Sequence, residues 1–458
     1  MEHLLDIIAS LCERDSKYYD IRYMEEAGRF VSYRNGEFQG AGESLERGIA
    51  VRVVNEGISY GFFNDENKAS EVVGRTIDRS HKNGKNQLSG GTPITDKWEV
   101  KASQSPGDFS LDDRIDLVKS MDSLMNDLNA GVRINVLNDR EVRQLYVNSL
   151  GSRIEGKFPR IGYYYVMGFN QNGSFEQSYN QFGITGGYEN FGTMKIEEEV
   201  KDDARKLSSA ATAAKIEPGR YDVILGPDLS GIVAHESCGH PTEYDRIIGR
   251  EGALAGESFL SGKDFPYRVG SEDVSVIDDP TMTGSYGYYK YDDEGIMARK
   301  RYLYRNGLTS EFILNRESAA ILGMESNAGG RSSSWNHEPL ARMSTTYIEP
   351  GEMSLDELVE GVKLGVYMGS YTEWNIDDIR FNQKYVGKDS FMIRNGKLAE
   401  QVRRPILETT TTGLYSAVDG TSKELHFSAG TCGKGEPEQG IEVWMGGPHV
   451  RLRNMYLS

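Results

Sequence analysis

Residues 221–225 read Tyr221-Asp222-Val223-Ile224-Leu225, followed by Gly226-Pro227, and residues 231–241 read Gly231-Ile232-Val233-Ala234-His235-Glu236-Ser237-Cys238-Gly239-His240-Pro241. The first run predicts a short buried strand, and Gly226-Pro227 ends it. The second predicts a helix that carries two imidazoles. A His-Glu-x-x-His pattern sets two imidazoles one turn apart on a shared face, with Glu beside a metal-activated water. Here the spacing is one residue longer, an HExxxH motif. On a regular helix positions i and i+4 differ by about 40° in azimuth, but i and i+5 by about 140°. His235 and His240 can therefore share an ion only on a distorted helix. Gly239 relaxes the backbone, and Pro241 lacks the N–H that would bond back to Ser237. A π-bulge or a widened terminus is the expected remedy.

A catalytic zinc needs a third protein ligand and an open position. Glu243 and Asp245 follow closely and are candidates. Cys238 is near in sequence but points elsewhere on a helix, and reads as a small buried apolar residue. Cys432 is the better candidate. It sits in Ser428-Ala429-Gly430-Thr431-Cys432-Gly433-Lys434-Gly435, where the glycines allow close backbone approach and Lys434 would favour a thiolate. His426 is a reserve ligand. His3, His81, His337 and His449 read as surface or packing residues.

Outward from this segment the chain divides near Pro218-Gly219, giving regions 1–217 and 218–458. The first opens with a helix (Leu4, Leu5, Ile7, Ile8, Leu11) and continues into a hairpin over 20–38 with Asn35-Gly36 at its turn. A second hairpin is expected over 48–63, turning near Asn55-Glu56-Gly57. Helices are expected at 69–81, at 111–128 with Ser110 as N-cap, and at 194–213. Residues 83–109 read as a polar surface loop, and 132–182 as several strands. The second region reads as strands at 274–277, 301–304, 345–348, 408–412, 424–427, 441–444 and 448–458, with a short helix at 355–364. The expected fold is α+β, with mixed and antiparallel sheets and the metal site on a distorted helix of the C-terminal region.

The chain has 458 residues and a net charge of −17. That acidity argues against nonspecific nucleic-acid binding. The 52 glycines and 26 tyrosines favour turns and strands over a helical bundle. Three widely spaced cysteines are no disulfide framework and fit a reducing compartment. No apolar run approaches a membrane span, and early acids interrupt any signal-peptide core. A cytoplasmic protein is expected. There is no phosphate-loop or dinucleotide fingerprint. The acids Asp278-Asp279 and Asp292-Asp293-Glu294 read as solvated loop faces.

His235, Glu236, Gly239, His240, Glu243 and Asp245, followed much later by Gly430-Thr431-Cys432-Gly433-Lys434, resemble the TldD/PmbA family of metallopeptidases. Gly284-Ser285-Tyr286-Gly287-Tyr288-Tyr289 and Arg342-Met343-Ser344-Thr345-Thr346-Tyr347 also look family-like, so the resemblance covers nearly the whole chain. It implies a zinc peptidase with His235, His240 and Cys432 as ligands. It further implies a dimer with an internal cleft, in which this chain is the TldD-type catalytic subunit. The partner would be a second copy or a related non-catalytic member. Ser237-Cys238 and Pro241 depart from the family pattern without removing a ligand.

In that reading Glu236 takes a proton from zinc-activated water and passes it to the leaving amine. Tyr286, Tyr288, Tyr289 and Tyr291 are oxyanion-stabilising candidates by type only. The expected substrate is a short or unfolded peptide, added as a strand to an exposed edge such as 343–348 or 408–412. One alternative is a peptide-binding scaffold or maturation partner with a structural zinc, closed by Cys238, His426 or Glu243. Another makes Cys432 a nucleophile with a histidine base.

Overall fold

The structure, a computed structural model, describes the chain apart from residues 83, 85, 86, 172, 211 and 252–255. Tyr18–Arg34 and Glu37–Val54 pair antiparallel from Tyr18↔Val54 to Arg34↔Glu37. Asn35 (φ 51°) and Gly36 (φ 84°) form their two-residue turn, the left-handed pair that suits strand twist. The hairpin expected over 48–63 is an extension of this one. Glu37–Val54 runs unbroken and turns at 55–57 into Ile58–Phe63. On the other side Tyr18–Arg34 pairs with Val132–Asn148, and that strand pairs with Arg153–Gln171. Ser174–Thr185 and Thr95–Glu99 each add to a different part of Arg153–Gln171.

Thr95–Glu99 overturns part of the loop expected over 83–109. It is held by Trp98, which stacks on Phe158 at 5.5 Å, and a Cβ at the facing Gly156 would lie 2.7 Å from the indole. One buried aromatic supplies what the polar pattern did not advertise. Positions 83, 85 and 86 of that loop, and 211 of the expected helix 194–213, lie outside the described residues.

Helices cover both ends of this sheet. Glu2–Cys12 and Ala69–Ser80 pack Leu5, Ile8, Val73 and Ile77 onto Ile21, Ile49 and Val51. Leu111–Asp127 and Ile196–Ala210 pack Val118, Met125, Val200 and Leu207 onto Leu137, Tyr163 and Tyr165. Ser110 caps the third helix through a reciprocal box with Asp113, which satisfies two otherwise orphaned amides.

In the C-terminal region five strands close on themselves. Gly219–Leu225 lies between Leu364–Ile376, parallel to it, and Val450–Leu457, antiparallel. The ring continues through Ile406–Thr410 and Asn382–Arg394 and returns to Leu364–Ile376. A second sheet runs Leu308–Thr309, Arg301–Arg305, Val276–Asp278, Thr345–Ile348, Gln439–Gly447, His426–Lys434. The helix Pro227–Ala234 is buried in the core shared with both sheets. Gly231 permits its close approach, since a Cβ there would stand 2.9 Å from the Gly446 amide.

Several expected boundaries move for local reasons. The strand at 408–412 is Ile406–Thr410, because Thr410 caps a short helix, Thr411–Ser416. The strand at 424–427 is His426–Lys434 and carries Cys432. Residues 345–348 are not a free edge, since they have strand neighbours on both sides, whereas 408–410 pair only with Asn382–Arg394 and the second neighbour meets this strand at Leu407 alone.

The acids read as solvated are buried instead, apart from the half-buried Asp293. Asp278 pairs with Arg301, and both side chains are fully enclosed. It also accepts from the Ser344 amide at 2.8 Å and from Thr346 at 3.0 Å. Glu294 pairs with Arg52 of the first region and accepts from the Arg316 amide at 2.5 Å. Asp293 accepts from the Ser332 amide at 2.7 Å, and Asp292 from that of Gly330 at 3.0 Å. Buried arginines and orphan amides explain these acids, a pairing that adjacent sequence does not display.

Asp278→Ala would strand Arg301 in the core. It is expected to destabilise the protein by about 3–5 kcal/mol, and Asp278→Ala with Arg301→Met to recover much of that. Urea unfolding of the three proteins checks both. Equal stability of the single variant and the parent would refute it.

Candidate metal centre

The helix Pro227–Ala234 runs directly into a π-helical turn, His235–Gly239. The His240 amide donates to the His235 carbonyl, five residues back. Three side chains consolidate the turn. The Ser237 carbonyl faces a proline where an amide would be, and accepts instead from the Tyr304 hydroxyl at 3.1 Å. Thr242 Oγ1 donates to the carbonyls of Cys238 at 2.8 Å and Gly239 at 2.9 Å. Gly239 has ordinary helical angles (φ −56°, ψ −64°), so its role is space rather than freedom. A Cβ there would lie 1.8 Å from the Met343 sulfur.

The extra residue turns the two rings toward each other. Their centroids stand 4.9 Å apart with planes at 83°. The strand His426–Lys434 supplies the third donor. Its alternation buries Gly430, Cys432 and Lys434 on one face and exposes Thr431 and Gly433 on the other. Cys432 Sγ is 3.6 Å from His240 Nε2. One donor atom each from His235, His240 and Cys432 lie within 4.8 Å of one another.

This donor set fits zinc. Zinc–sulfur and zinc–nitrogen bonds of about 2.3 and 2.0 Å give a tetrahedral edge of about 3.5 Å, close to the sulfur–nitrogen separation here. His235 Nδ1 is enclosed and has no hydrogen-bond partner among the described residues. His240 Nδ1 lies 3.0 Å from Glu243 Oε2, a carboxylate that can only accept, so the Nε2 lone pair faces the sulfur. Burial lowers the pKa of both imidazoles despite opposing negative charges, which keeps them neutral as ligands.

Glu243, weighed as a ligand, orients His240 instead. Burial opposes its ionisation, but Lys434, His240 and Arg246 hold it well below the ordinary carboxylate range. Arg246 Nε donates to it at 2.7 Å, and Lys434 Nζ lies 3.3 Å away. Asp245 is occupied by Lys434 at 2.7 and 2.9 Å. Lys434 therefore clamps the acids and does not serve the thiol. Burial alone would raise the Cys432 pKa, but the charges of His240 and Arg342 and a hydrogen bond with His240 lower it to about 7. Arg342 acts from the Cys432 carbonyl, to which it donates.

Glu236 is buried beside His235, and its Oε2 accepts from Arg380 Nη1 at 2.6 Å. Sequence reading missed Arg380, because nothing near it in sequence signals chemistry. Only its left-handed backbone (φ 62°) sets it apart. The other candidates stay away. Cys238 is enclosed in the core cluster. His426 is exposed, six residues up an extended strand and so about 20 Å from Cys432. Tyr286 packs on Gly162 and Gly183, Tyr288 stands edge-on to Trp98, Tyr289 donates to the Ala328 carbonyl, and Tyr291 to Asp96. His81, His337 and His449 are engaged with Asp15, Ser333 and Ser422.

A buried thiol and two histidines, held by a helix and a distant strand, form a group that could hold a metal ion. Family models described as PmbA/TldA metallopeptidase domain 1, central domain and C-terminal domain match residues 19–84, 104–211 and 218–458. A protein of Methanothermobacter thermautotrophicus named "Metalloprotease" is 31% identical over 447 residues, covering 96% of this chain and 94% of its own. A "Zinc metalloprotease TldD homolog" of Saccharolobus solfataricus is 29% identical over 272 residues, covering 58% of this chain and 57% of its own. The crystal structure of TldE from Thermococcus kodakarensis superposes with a TM-score of 0.78 at 16% identity, covering 99% of this chain and 100% of that one, and shows the same α+β fold. The chain belongs to the TldD/PmbA metallopeptidase family. Among the described residues no helix is long and apolar enough to cross a membrane.

In metal-free protein, alkylation of Cys432 by iodoacetamide should rise with pH through a midpoint near 7, since its lowered pKa makes thiolate available there. Cys12, pushed up to about 12, should stay unmodified at that pH. Peptide mass spectrometry across pH 5–9 checks this; a Cys432 midpoint above 8.5 would contradict it.

Proposed function

We propose that the chain is the catalytic, TldD-type member of its family, a zinc-dependent peptidase with His235, His240 and Cys432 as metal ligands and Glu236 as general base. The observation that carries the reading is the three-donor cluster beside an enclosed carboxylate. Three ligands leave a fourth position open, as catalysis requires and a structural site does not. Zinc bound there supplies Lewis-acid polarisation of a carbonyl and acidification of water.

The chain's own residues do the rest. Glu243 fixes the His240 ring, and the His240 contact and Arg342 ease ionisation of the thiol. Glu236 accepts the proton of the attacking water as its oxygen bonds to the carbonyl carbon. It then returns a proton to the amine as the C–N bond breaks. The low exposure of every site residue favours short or unfolded peptides over folded proteins. Thr345–Ile348 cannot receive the peptide as an added strand, because it is paired on two sides, whereas residues 408–410 pair on one side only and leave the other side open to one.

Working as a dimer, with a second copy or a related non-catalytic member, is part of the same proposal. Phe30, Phe38 and Leu45 are exposed on the long hairpin and would gain from such cover. So is a division of the chain at 217/218, and a cytoplasmic setting that suits three unpaired cysteines.

The Cys432–His240 contact gives a second reading some footing, with the thiolate as nucleophile. Metal content and Glu236→Gln separate the two. The zinc reading expects about one zinc per chain by mass spectrometry. It expects Glu236→Gln to retain that zinc while peptide turnover falls by about 10²–10⁴-fold. Chelation should abolish turnover, and zinc should restore it. Turnover indifferent to chelator would favour the nucleophile reading, and unchanged turnover in Glu236→Gln would remove the base from Glu236.

A further inference from the structure

We propose that Arg380 is a catalytic residue, its guanidinium donating to the scissile carbonyl oxygen as negative charge develops there. The inference rests on the peptidase reading above. Its basis is the placement of the side chain and its unfilled bonding capacity.

Arg380 is delivered by the loop 377–381, between the strands Leu364–Ile376 and Asn382–Arg394. The loop is rigid by construction. Asp377 accepts from the Phe381 amide at 2.7 Å and from Asn382 Nδ2 at 2.6 Å, and its carbonyl accepts from the Arg380 amide at 3.0 Å. Two contacts tie the loop to neighbouring segments. The Ile379 carbonyl accepts from the Phe259 amide at 2.7 Å, and the Arg380 carbonyl from Thr411 Oγ1 at 2.8 Å. These bonds hold Arg380 in a left-handed conformation (φ 62°) that a β-carbon disfavours, and such strain concentrates at functional positions.

The guanidinium uses one N–H on Glu236, while its Nε is enclosed and has no partner among the described residues. A buried donor without an acceptor is unfavourable unless something else fills it. The Arg380 side chain keeps 11% of its surface open against 5% for Glu236, so it is the more accessible of the pair. A fixed positive charge beside a cation site also opposes metal binding. It becomes favourable once an oxygen between the two turns negative. Tyr286, Tyr288, Tyr289 and Tyr291 are committed to packing or other acceptors, whereas Arg380 is bonded directly to Glu236.

The test is calorimetric binding to the zinc-loaded full chain of two ligands. One is a phosphinic peptide, tetrahedral and anionic at the position of the scissile carbonyl; the other is the matching ordinary peptide, measured in a Glu236→Gln background. Arg380→Ala should keep about one zinc per chain. It should weaken the phosphinic peptide by about 30-fold or more, change the ordinary peptide by less than about threefold, and lower kcat by about 10²-fold. Millimolar guanidinium should restore part of kcat in Arg380→Ala and none in the parent. Arg380→Lys, the safer variant for folding, should lose about tenfold on the phosphinic peptide alone. Equal loss on both ligands, or no loss on either, overturns the role of Arg380 and leaves the peptidase reading standing if the parent turns over peptide. A zinc-loaded parent that neither cleaves peptide nor binds the phosphinic peptide overturns both.

Discussion

The His240 amide bonds to a carbonyl five residues back, and the geometry of the site follows from that one bond. In an α-helix the two rings would point about 140° apart. With a residue added to the turn they stand 4.9 Å apart between centroids. A wider turn loses regular hydrogen bonds, and side chains serve three of its carbonyls. Tyr304 serves the carbonyl that Pro241 cannot reach, and Thr242 serves the next two. Met343 occupies the place of a side chain at 239, so packing and hydrogen bonding support the same distortion.

The second constraint is electrostatic. Glu243, Asp245, Lys434 and Arg246 are all enclosed, and an unpaired charge in such a place is strongly unfavourable. Their mutual pairing fixes the strand His426–Lys434 against the segment that follows the π turn. Because side chains alternate along a strand, the register that seats Lys434 on Asp245 also seats Cys432 on His240. A one-residue slip would turn both outward. The acids thus hold the thiol in place without ligating anything themselves.

The same logic joins neighbouring strands of one sheet in the second region and ties that region to the first. Asp278 faces Arg301 on one neighbouring strand and Thr346 on the other, and Glu294 reaches Arg52 in the first region. These acids read as loop polarity in sequence because their partners are distant along the chain. Pairing across tens to hundreds of residues leaves no local periodicity, whereas a helix face or a hairpin turn does.

Local physics alone made much of the chain legible. Asn35-Gly36, the Ser110 cap, the apolar helix faces and the run Tyr221–Leu225 all act through neighbours within a few residues, and they determined elements close to those observed. The spacing of His235 and His240 together with Pro241 was enough to demand a widened turn, because helix geometry leaves no other way for the rings to meet. Tertiary structure alone decided the rest. It set Cys432 on a strand facing His240, gave Glu243 to His240 rather than to an ion, enclosed the acidic pairs, closed five strands into a ring and brought Arg380 to Glu236. Each of these depends on which distant segments share a low-dielectric interior, and no window of sequence contains that information.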